Sequence, residues 1–203
     1  MDSYLRKPLE KLFQAPSHFS VLRVLYPLKE GLSGREIARR ANINDRNCRL
    51  ILKRLELLGL VFYQGSGRVR LYQLNRKHFF VEHFLAPLFN NEPKLLDGIK
   101  EQLKGTIGEL CLWMGIFGST AKGEDTVESD LDILVLVKNE EQQEILLESL
   151  DELEGKLHEM YGVALSPIVM TIKEWRKTNR SFRDTKADII AHHITLVGDD
   201  TIL

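Results

Sequence analysis

The stretch of sequence that decides the fold is GSTAKGEDTVESDLDILVLV, residues 118–137. One apolar run, CLWMGIF, ends just before Gly118, and a second, LDILVLV, begins just after Asp130. Short apolar runs bounded by glycine and polar residues are typical of buried strands. We therefore predict strands at residues 111–117 and 131–137, joined by a loop with Gly-Ser at one end and Asp-x-Asp at the other.

The Asp-x-Asp end of this loop carries two carboxylates. Residues two apart on a strand point to the same face, so Asp130 and Asp132 are predicted to lie side by side. Their charges repel unless a cation lies between them, and Mg²⁺ takes carboxylate oxygens, waters and nucleotide phosphates as ligands. The spacing therefore predicts that Asp130 and Asp132 are metal ligands. An ordinary surface loop with Asp130 as a turn residue explains neither the glycines nor both aspartates.

The Gly-Ser end has the features of a phosphate-binding turn. Gly118 lets the backbone approach a phosphate closely, and exposed N–H groups and the Ser119 hydroxyl can donate to it. Lys122 adds a positive charge, and Gly123 permits the next turn. Ser129 either orients the neighbouring aspartate or caps the loop backbone. We predict that these five residues bind a nucleotide.

The rest of this half alternates between helix and strand patterns. Residues 93–110 and 140–161 read as amphipathic helices, and residues 163–171 read as a third strand, interrupted at Pro167. A short helix, IKEWRKTN, and another at residues 187–193 lead to the segment ITLVGDD. We expect His192 and His193 to pack or meet solvent at that helix end rather than to bind metal.

The combination Gly118-Ser119-x-x-Lys122-Gly123…Ser129-Asp130-x-Asp132, with an apolar strand on each side, resembles the signature of the DNA polymerase β nucleotidyltransferase superfamily. The likeness is to its small, minimal nucleotidyltransferases, and it covers about residues 93–200 because HITLVG resembles their closing segment. The resemblance implies that Asp130 and Asp132 are catalytic and bind Mg²⁺ (or Mn²⁺) with a nucleoside triphosphate (NTP). A nucleoside monophosphate then passes to an acceptor hydroxyl, and pyrophosphate leaves.

The sequence departs from that superfamily at one position. Its members normally supply a third carboxylate from the later strand, whereas VALSPIVM, residues 163–170, contains no Asp or Glu. Ser166 or Ile168 occupies the expected place, and Asp125 and Glu128 are candidate substitutes. Two functions therefore stay open. One is an active transferase, and the other is a transcriptional regulator whose degenerate domain senses nucleotides. An antitoxin-like role with a protein partner rests on family analogy alone.

The charge of the chain is divided between its two ends. Residues 1–90 carry 16 Lys and Arg against 7 Asp and Glu, a net charge of +9, whereas residues 91–203 carry 12 against 22, a net charge of −10. Such asymmetry suggests two domains with different partners, and we place them at 1–90 and 91–203. The basic half favours a polyanion as its partner.

The basic half has a pattern of helices followed by a hairpin. Apolar spacing predicts a helix from residue 19 to near Pro27, Ser33 and Glu36 form a capping-box pattern before a second helix, and Asn44 can cap a third. Two β-like runs, residues 60–63 and 68–74, flank QGSG. This order resembles the winged helix-turn-helix over about residues 15–76. The expected fold class is therefore α/β (α+β), with an N-terminal winged helix-turn-helix and a C-terminal nucleotidyltransferase fold built on a small mixed sheet flanked by helices.

The winged-helix resemblance implies binding to double-stranded DNA, with the third helix in the major groove. The alternatives are a protein-interaction module and arginines that form an ordinary solvated face. The residues predicted to contact DNA are Arg35, Arg39, Arg40, Arg46, Asn47, Arg49, Lys53, Arg68 and Arg70. Winged-helix proteins often bind two-fold symmetric sites, so we also expect a homodimer.

The sequence also bears on location. It has no apolar run as long as a membrane span, and its N-terminus, MDSYLRKPLEKLF, has no apolar signal core. Cys48 and Cys111 lack a partner motif and are expected to be reduced thiols. We therefore expect a cytoplasmic protein.

Overall fold

The structure is a computed structural model that describes residues 10, 15–65, 70–177 and 182–203. It divides the chain into two compact units, residues 1–93 and 94–203. The architecture is mixed α/β, as the sequence predicts. No helix in the described ranges is long and apolar enough to cross a membrane.

Between residues 15 and 57 the first unit has three helices: α1 is Pro16–Leu25, α2 is Gly34–Arg40 and α3 is Asp45–Leu57. The Ser33 hydroxyl accepts the Glu36 N–H, so half of the predicted capping box forms. The other half does not form, because the Glu36 carboxylate is bonded to two arginines of α2. Asn44 caps α3 as predicted, since its side chain accepts the Asn47 N–H at 2.8 Å.

A small antiparallel sheet combines one short strand before α2 with two strands after α3. Its strands are β1, Leu32–Ser33; β2, Val61–Gln64; and β3, Leu71–Leu74, with β3 in the middle. The pairing of β2 with β3 is that of the predicted hairpin, whose connecting residues 66–69 lie outside the described ranges. Leucine, isoleucine and valine side chains of α1, α2, α3 and β2 form the core of this unit.

The helical segment that follows β3 begins at residue 79 and is not regular. A π-helical turn, Val81–Leu85, precedes α4, Ala86–Asn91. Pro87, near the start of α4, has no N–H to donate one turn back, and its ring crowds the preceding turn. Local widening of the helix into a π turn accommodates that loss.

The second unit alternates helices with the strands of a four-stranded sheet. Its elements are α5, Lys94–Ile107; a 3₁₀ turn, Gly108–Leu110; β4, Trp113–Ile116; α6, Gly118–Lys122; β5, Leu131–Val137; α7, Glu140–Tyr161; β6, Leu165–Thr171; α8, Ile172–Arg176; α9, Arg183–Ala191; β7, Ile194–Val197; and a 3₁₀ turn, Asp200–Ile202. The sheet order is β6-β5-β4-β7, with β5 and β6 parallel and the other pairs antiparallel. This is the predicted small mixed sheet.

Helices cover both faces of this sheet. Ile133 and Val135 of β5 face a core that includes Leu103 of α5 and Leu153 of α7. Leu134, on the other face, packs in a second cluster with Trp113, Phe117, Leu136, Trp175 and Ile189, which brings α8 and α9 onto that side. Because Asp132 lies two residues before Leu134, it projects from the face that α8 and α9 cover.

The predicted interruption of the third strand at Pro167 is wrong. Strand β6 continues through Pro167, which pairs in register with Ile133. The reason is that β6 is an edge strand, where the missing N–H of a proline can face away from the sheet. Strand β6 therefore pairs with β5 along its whole length, from Leu131 to Val137.

Candidate functional site

The antiparallel pairing of β4 with β5 brings the two ends of the decisive stretch together. Ile116 pairs with Ile133, and the Phe117 N–H donates to the Asp132 carbonyl oxygen at 3.0 Å. The chain that leaves β4 therefore turns directly beside the residue that begins β5. Gly118 is the first residue of that turn.

Gly118 lies against the carboxylate of Asp132. A Cβ at position 118 would overlap Oδ2 of Asp132 and lie 3.1 Å from its Cγ. The φ angle of Gly118 is +69°, in the left-handed region that side chains disfavour. Backbone conformation and lack of space both require glycine here. The neighbour that imposes this is the Asp132 carboxylate, and the close approach to a phosphate stays a prediction.

The carboxylates of Asp130 and Asp132 have no protein partner within the described ranges. Asp130 is exposed, Asp132 is half-buried, and neither side chain takes part in a hydrogen bond or ion pair there. No group of three or more His, Cys, Asp or Glu that could hold a metal occurs among the described residues, so Asp125 and Glu128 do not complete a cluster with the pair. Two carboxylates still suit Mg²⁺, which binds through one or two of them together with substrate phosphates and waters.

Helix α6 is a single turn between the two strands. Gly123 ends it in the left-handed region, at φ +69°, and donates its N–H to the Ser119 and Thr120 carbonyl oxygens. The Glu124 N–H also donates to the Ser119 carbonyl oxygen, at 2.9 Å. The Ser119 hydroxyl has no hydrogen-bond partner in the described part of the chain. It is therefore available as a donor near the start of the turn.

Ser129 takes the second of its two predicted roles. Its hydroxyl accepts the Thr126 N–H at 2.9 Å, and its own N–H donates to the Thr126 carbonyl oxygen at 3.0 Å. Ser129 therefore fastens the loop that leads into the aspartates.

Lys122 has a partner that the sequence analysis missed. Its ammonium lies 2.8 Å from Oδ1 of Asp188 on α9, and this hydrogen bond holds the pKa of Asp188 below its usual range. Nδ1 of His192 lies 3.4 Å from the same oxygen. Lys122 and Asp188 are 66 residues apart, and no local pattern links them. The pair forms because α9 folds back over the sheet.

Ser166, one of the two candidate positions for the absent third carboxylate, lies beside Asp132. The parallel register pairs Asp132 with Ser166 and Leu134 with Ile168, so Ser166 is the neighbour of Asp132 on the same face. Ser166 is half-buried. Of the two candidates, Ser166 is therefore the one adjacent to Asp132.

His193 takes part in packing and fastening at the end of the unit. Its ring meets Trp113 edge-on at 5.6 Å between centroids, and its Nε2 lies 3.3 Å from Oδ2 of Asp200. Asp200 also accepts hydrogen bonds from the Trp113 indole and the Thr195 hydroxyl. This is the packing role expected of a histidine at that helix end.

The basic residues predicted to contact DNA fall into two groups. On α2, the Glu36 carboxylate accepts hydrogen bonds from Arg39 at 2.7 Å and from Arg40 at 2.6 Å, and these bonds lower its pKa to about 2. Arg35 lies 3.9 Å from Asp45. These three arginines therefore already have acidic partners.

The second group lies on α3, where Arg46, Asn47, Arg49 and Lys53 are all exposed. Within the described ranges, none of the three cations among them forms an ion pair. At the sheet, Arg70 stacks over Tyr63 with 4.4 Å to the ring centroid. Arg68 lies outside the described residues.

Comparison with known proteins supports the interpretation of the second unit. The family model for the nucleotidyltransferase domain matches residues 94–190, which supports a nucleotidyltransferase-like role for this part of the chain. No curated protein matches the chain.

Two solved structures share distant similarity with the chain. One is a toxin-antitoxin crystallised with AMP-PNP, at 16% identity and a TM-score of 0.34, covering 50% of this chain and 75% of that one. The other is human N-acetylserotonin methyltransferase in complex with SAM, at 13% identity and a TM-score of 0.29, covering 48% and 34%. Neither TM-score is high enough to define the fold.

The contact between Gly118 and Asp132 predicts the outcome of paired substitutions. Gly118→Ala and Gly162→Ala place a side chain at φ +69° and +68°, which should cost each variant about 1–2 kcal/mol of unfolding free energy. Only Gly118→Ala also displaces the Asp132 carboxylate, because a Cβ at Gly162, which follows α7, meets nothing within 4 Å. We expect Gly118→Ala alone to abolish Mg²⁺-dependent NTP binding, measured by calorimetry. Equal binding losses in the two variants would show that backbone strain, not the carboxylate, is responsible.

Proposed function

We propose that the second unit binds an NTP with Mg²⁺ (or Mn²⁺) at Asp130 and Asp132 and transfers a nucleoside monophosphate to an acceptor hydroxyl. The observation that supports this most directly is the packing of Gly118 against the Asp132 carboxylate. In this proposal, that contact brings the phosphate-binding turn next to Asp132, one of the two metal ligands. The matching nucleotidyltransferase family model supports the same class of reaction.

Each residue of the site has a role in this proposal. Asp130 and Asp132 would hold the metal, which supplies charge neutralisation to the triphosphate and favours in-line displacement at the α-phosphate. Gly118 allows the phosphates to approach the backbone, and the unpartnered Ser119 hydroxyl donates to them. Ser129 holds the loop so that both carboxylates keep their positions.

The second candidate is a regulator whose transferase domain binds nucleotides without efficient turnover. The observation that favours it is Ser166, which lies beside Asp132 where the family resemblance implies a carboxylate. A serine hydroxyl is a poor metal ligand and a weak base at neutral pH. Binding and turnover must therefore be measured separately.

Binding is tested by thermal unfolding with each NTP, with and without Mg²⁺. A ligand at about 100 times its dissociation constant should add roughly 2.7 kcal/mol of stability to the wild-type protein. We expect Asp130→Asn/Asp132→Asn to lose this metal-dependent gain, and Asp151→Asn, an exposed aspartate on α7, to retain it. A wild-type protein that gains no stability with any NTP would exclude both candidate functions of this unit.

Turnover is tested by restoring the missing carboxylate. Ser166→Asp places a carboxylate next to Asp132, so we expect pyrophosphate release to rise by roughly 100-fold, the low end of what a positioned base contributes. NTP affinity should change little by comparison. If wild type already releases pyrophosphate in an Asp132-dependent manner and Ser166→Asp adds nothing, the chain is an enzyme that manages with two carboxylates.

We further propose that the first unit is a winged helix-turn-helix that binds double-stranded DNA through α3. Three helices followed by the antiparallel pair of β2 and β3 support this proposal, as do the exposed cations of α3. Those cations are free of acidic partners in the described ranges, whereas the arginines of α2 are not. We therefore expect α3, rather than α2, to provide the main phosphate contacts.

The difference between α3 and α2 should appear in the salt dependence of DNA affinity. Each of Arg46→Ala, Arg49→Ala and Lys53→Ala should reduce the slope of log K against log salt by about 1, because each removes one phosphate contact. Arg40→Ala is the matched control and should reduce it less, since Arg40 must leave Glu36 to reach a phosphate. Fluorescence anisotropy with a labelled duplex, recorded over a range of salt concentrations, measures the slope for each variant. Equal slopes in all four variants would contradict the assignment of α3.

We also propose a homodimer and a protein partner of the toxin-antitoxin kind. Both rest on analogy with the two families that the sequence resembles. A monomer by light scattering in the DNA-binding samples would count against the dimer. The absence of any co-purifying protein would count against the partner.

A further inference from the structure

We propose that Lys122 exchanges between Asp188 and the triphosphate, so that Asp188 sets the nucleotide affinity of the site. This inference rests on the proposed nucleotide-binding function and names a residue that regulates it. Asp188 has no place in the sequence signature and would not be selected from the stretch at residues 118–137.

The Lys122 ammonium contacts both carboxylate oxygens of Asp188. Nζ lies 2.8 Å from Oδ1 and 2.9 Å from Oδ2, and the two side chains retain 30% and 37% of their exposure. Lys122 is the last residue of α6, one helical turn after Gly118. The pair therefore ties the end of the phosphate-binding turn to α9.

Helix α9 lies on the face of the sheet from which Asp132 projects. Ile189, the residue after Asp188, is fully buried in a cluster with Leu134 of β5. Leu134 lies two residues beyond Asp132 on the same face of that strand. The fold thus fixes Asp188 over the same side of the sheet as Asp132.

The charges near Lys122 explain why its pairing with Asp188 would affect nucleotide binding. Residues 118–137 contain five Asp and Glu and a single cation, Lys122. While Lys122 is bound to Asp188, the pair offers no net positive charge to a triphosphate. A phosphate oxygen can take Lys122 from Asp188, because a partly exposed ion pair contributes little and a charge-assisted bond to phosphate is strong.

The exchange leaves Asp188 with a different neighbour. Nδ1 of His192 lies 3.4 Å from Oδ1 of Asp188 and remains beside it when Lys122 moves away. Nucleotide binding therefore releases the bond between α6 and α9 without leaving the carboxylate isolated. In this arrangement Asp188 is a positioning residue that competes with the ligand for one cation.

The test is a double-mutant cycle on NTP affinity. Calorimetry with each Mg²⁺–NTP compares wild type, Asp188→Asn, Lys122→Ala and the double variant. We expect Asp188→Asn to tighten binding about two- to fivefold, the range that partly exposed ion pairs span. Lys122→Ala should weaken binding, and Asp188→Asn should have no effect in the Lys122→Ala background.

Three controls separate exchange from a merely structural role. Asp188→Glu should restore wild-type affinity. The gain in Asp188→Asn should shrink when a nucleoside monophosphate replaces the triphosphate, because fewer phosphate charges then attract Lys122. Glu152→Gln breaks a comparable ion pair with Lys156 on α7, across the sheet, and should leave affinity unchanged.

The possible outcomes distinguish failure of the Lys122 exchange from failure of the proposed nucleotide-binding function. Equal or weaker NTP binding by Asp188→Asn, with thermal unfolding unchanged, overturns the exchange and leaves the nucleotide site in place. A gain that persists without Lys122 also overturns it. If neither wild type nor Asp188→Asn binds any Mg²⁺–NTP, the proposed nucleotide function fails and the exchange fails with it.

Discussion

The close contact between Gly118 and the Asp132 carboxylate is the constraint on which the second unit depends. Antiparallel pairing of β4 with β5 places the end of one strand beside the start of the next, and the Phe117 N–H bonded to the Asp132 carbonyl oxygen fixes their offset. Slipping that register by one residue would turn Asp132 to the opposite face. The hydrogen-bond register of β4 and β5 therefore determines where Asp132 lies relative to Gly118.

Local rules account for the parts of the site that lie close together in sequence. Gly118 and the i, i+2 spacing of Asp130 and Asp132 could be identified as a candidate site from backbone sterics and strand geometry, and the binding roles assigned to them stay predictions. The pairing of Lys122 with Asp188 could not, since it depends on where α9 folds. Likewise, only the strand register shows that Ser166, rather than a residue further along, adjoins Asp132.

In the first unit, the spacing of charged residues on α2 indicates ion pairs that the sequence analysis did not predict. Glu36, Arg39 and Arg40 are spaced three and four apart on a helix, the spacing at which opposite charges meet. Assigning Glu36 to a capping box with Ser33 hid that relation, and in the structure the two arginines hold the carboxylate instead. The basic charge of this unit is consequently uneven. It is partly neutralised on α2 and unopposed on the exposed side of α3 within the described ranges.

The contact between positions 118 and 132 also restricts the order in which this sequence can change. A side chain at 118 is excluded while Asp132 keeps its carboxylate, because the two would occupy the same space. Shortening residue 132 first would open that space and make a later substitution at 118 sterically easier. A lineage that first loses the carboxylate at 132 can therefore lose the glycine afterwards, whereas the reverse order passes through a clashing intermediate. Glycine at 118 beside aspartate at 132 is the combination expected of a lineage that has not taken the first step.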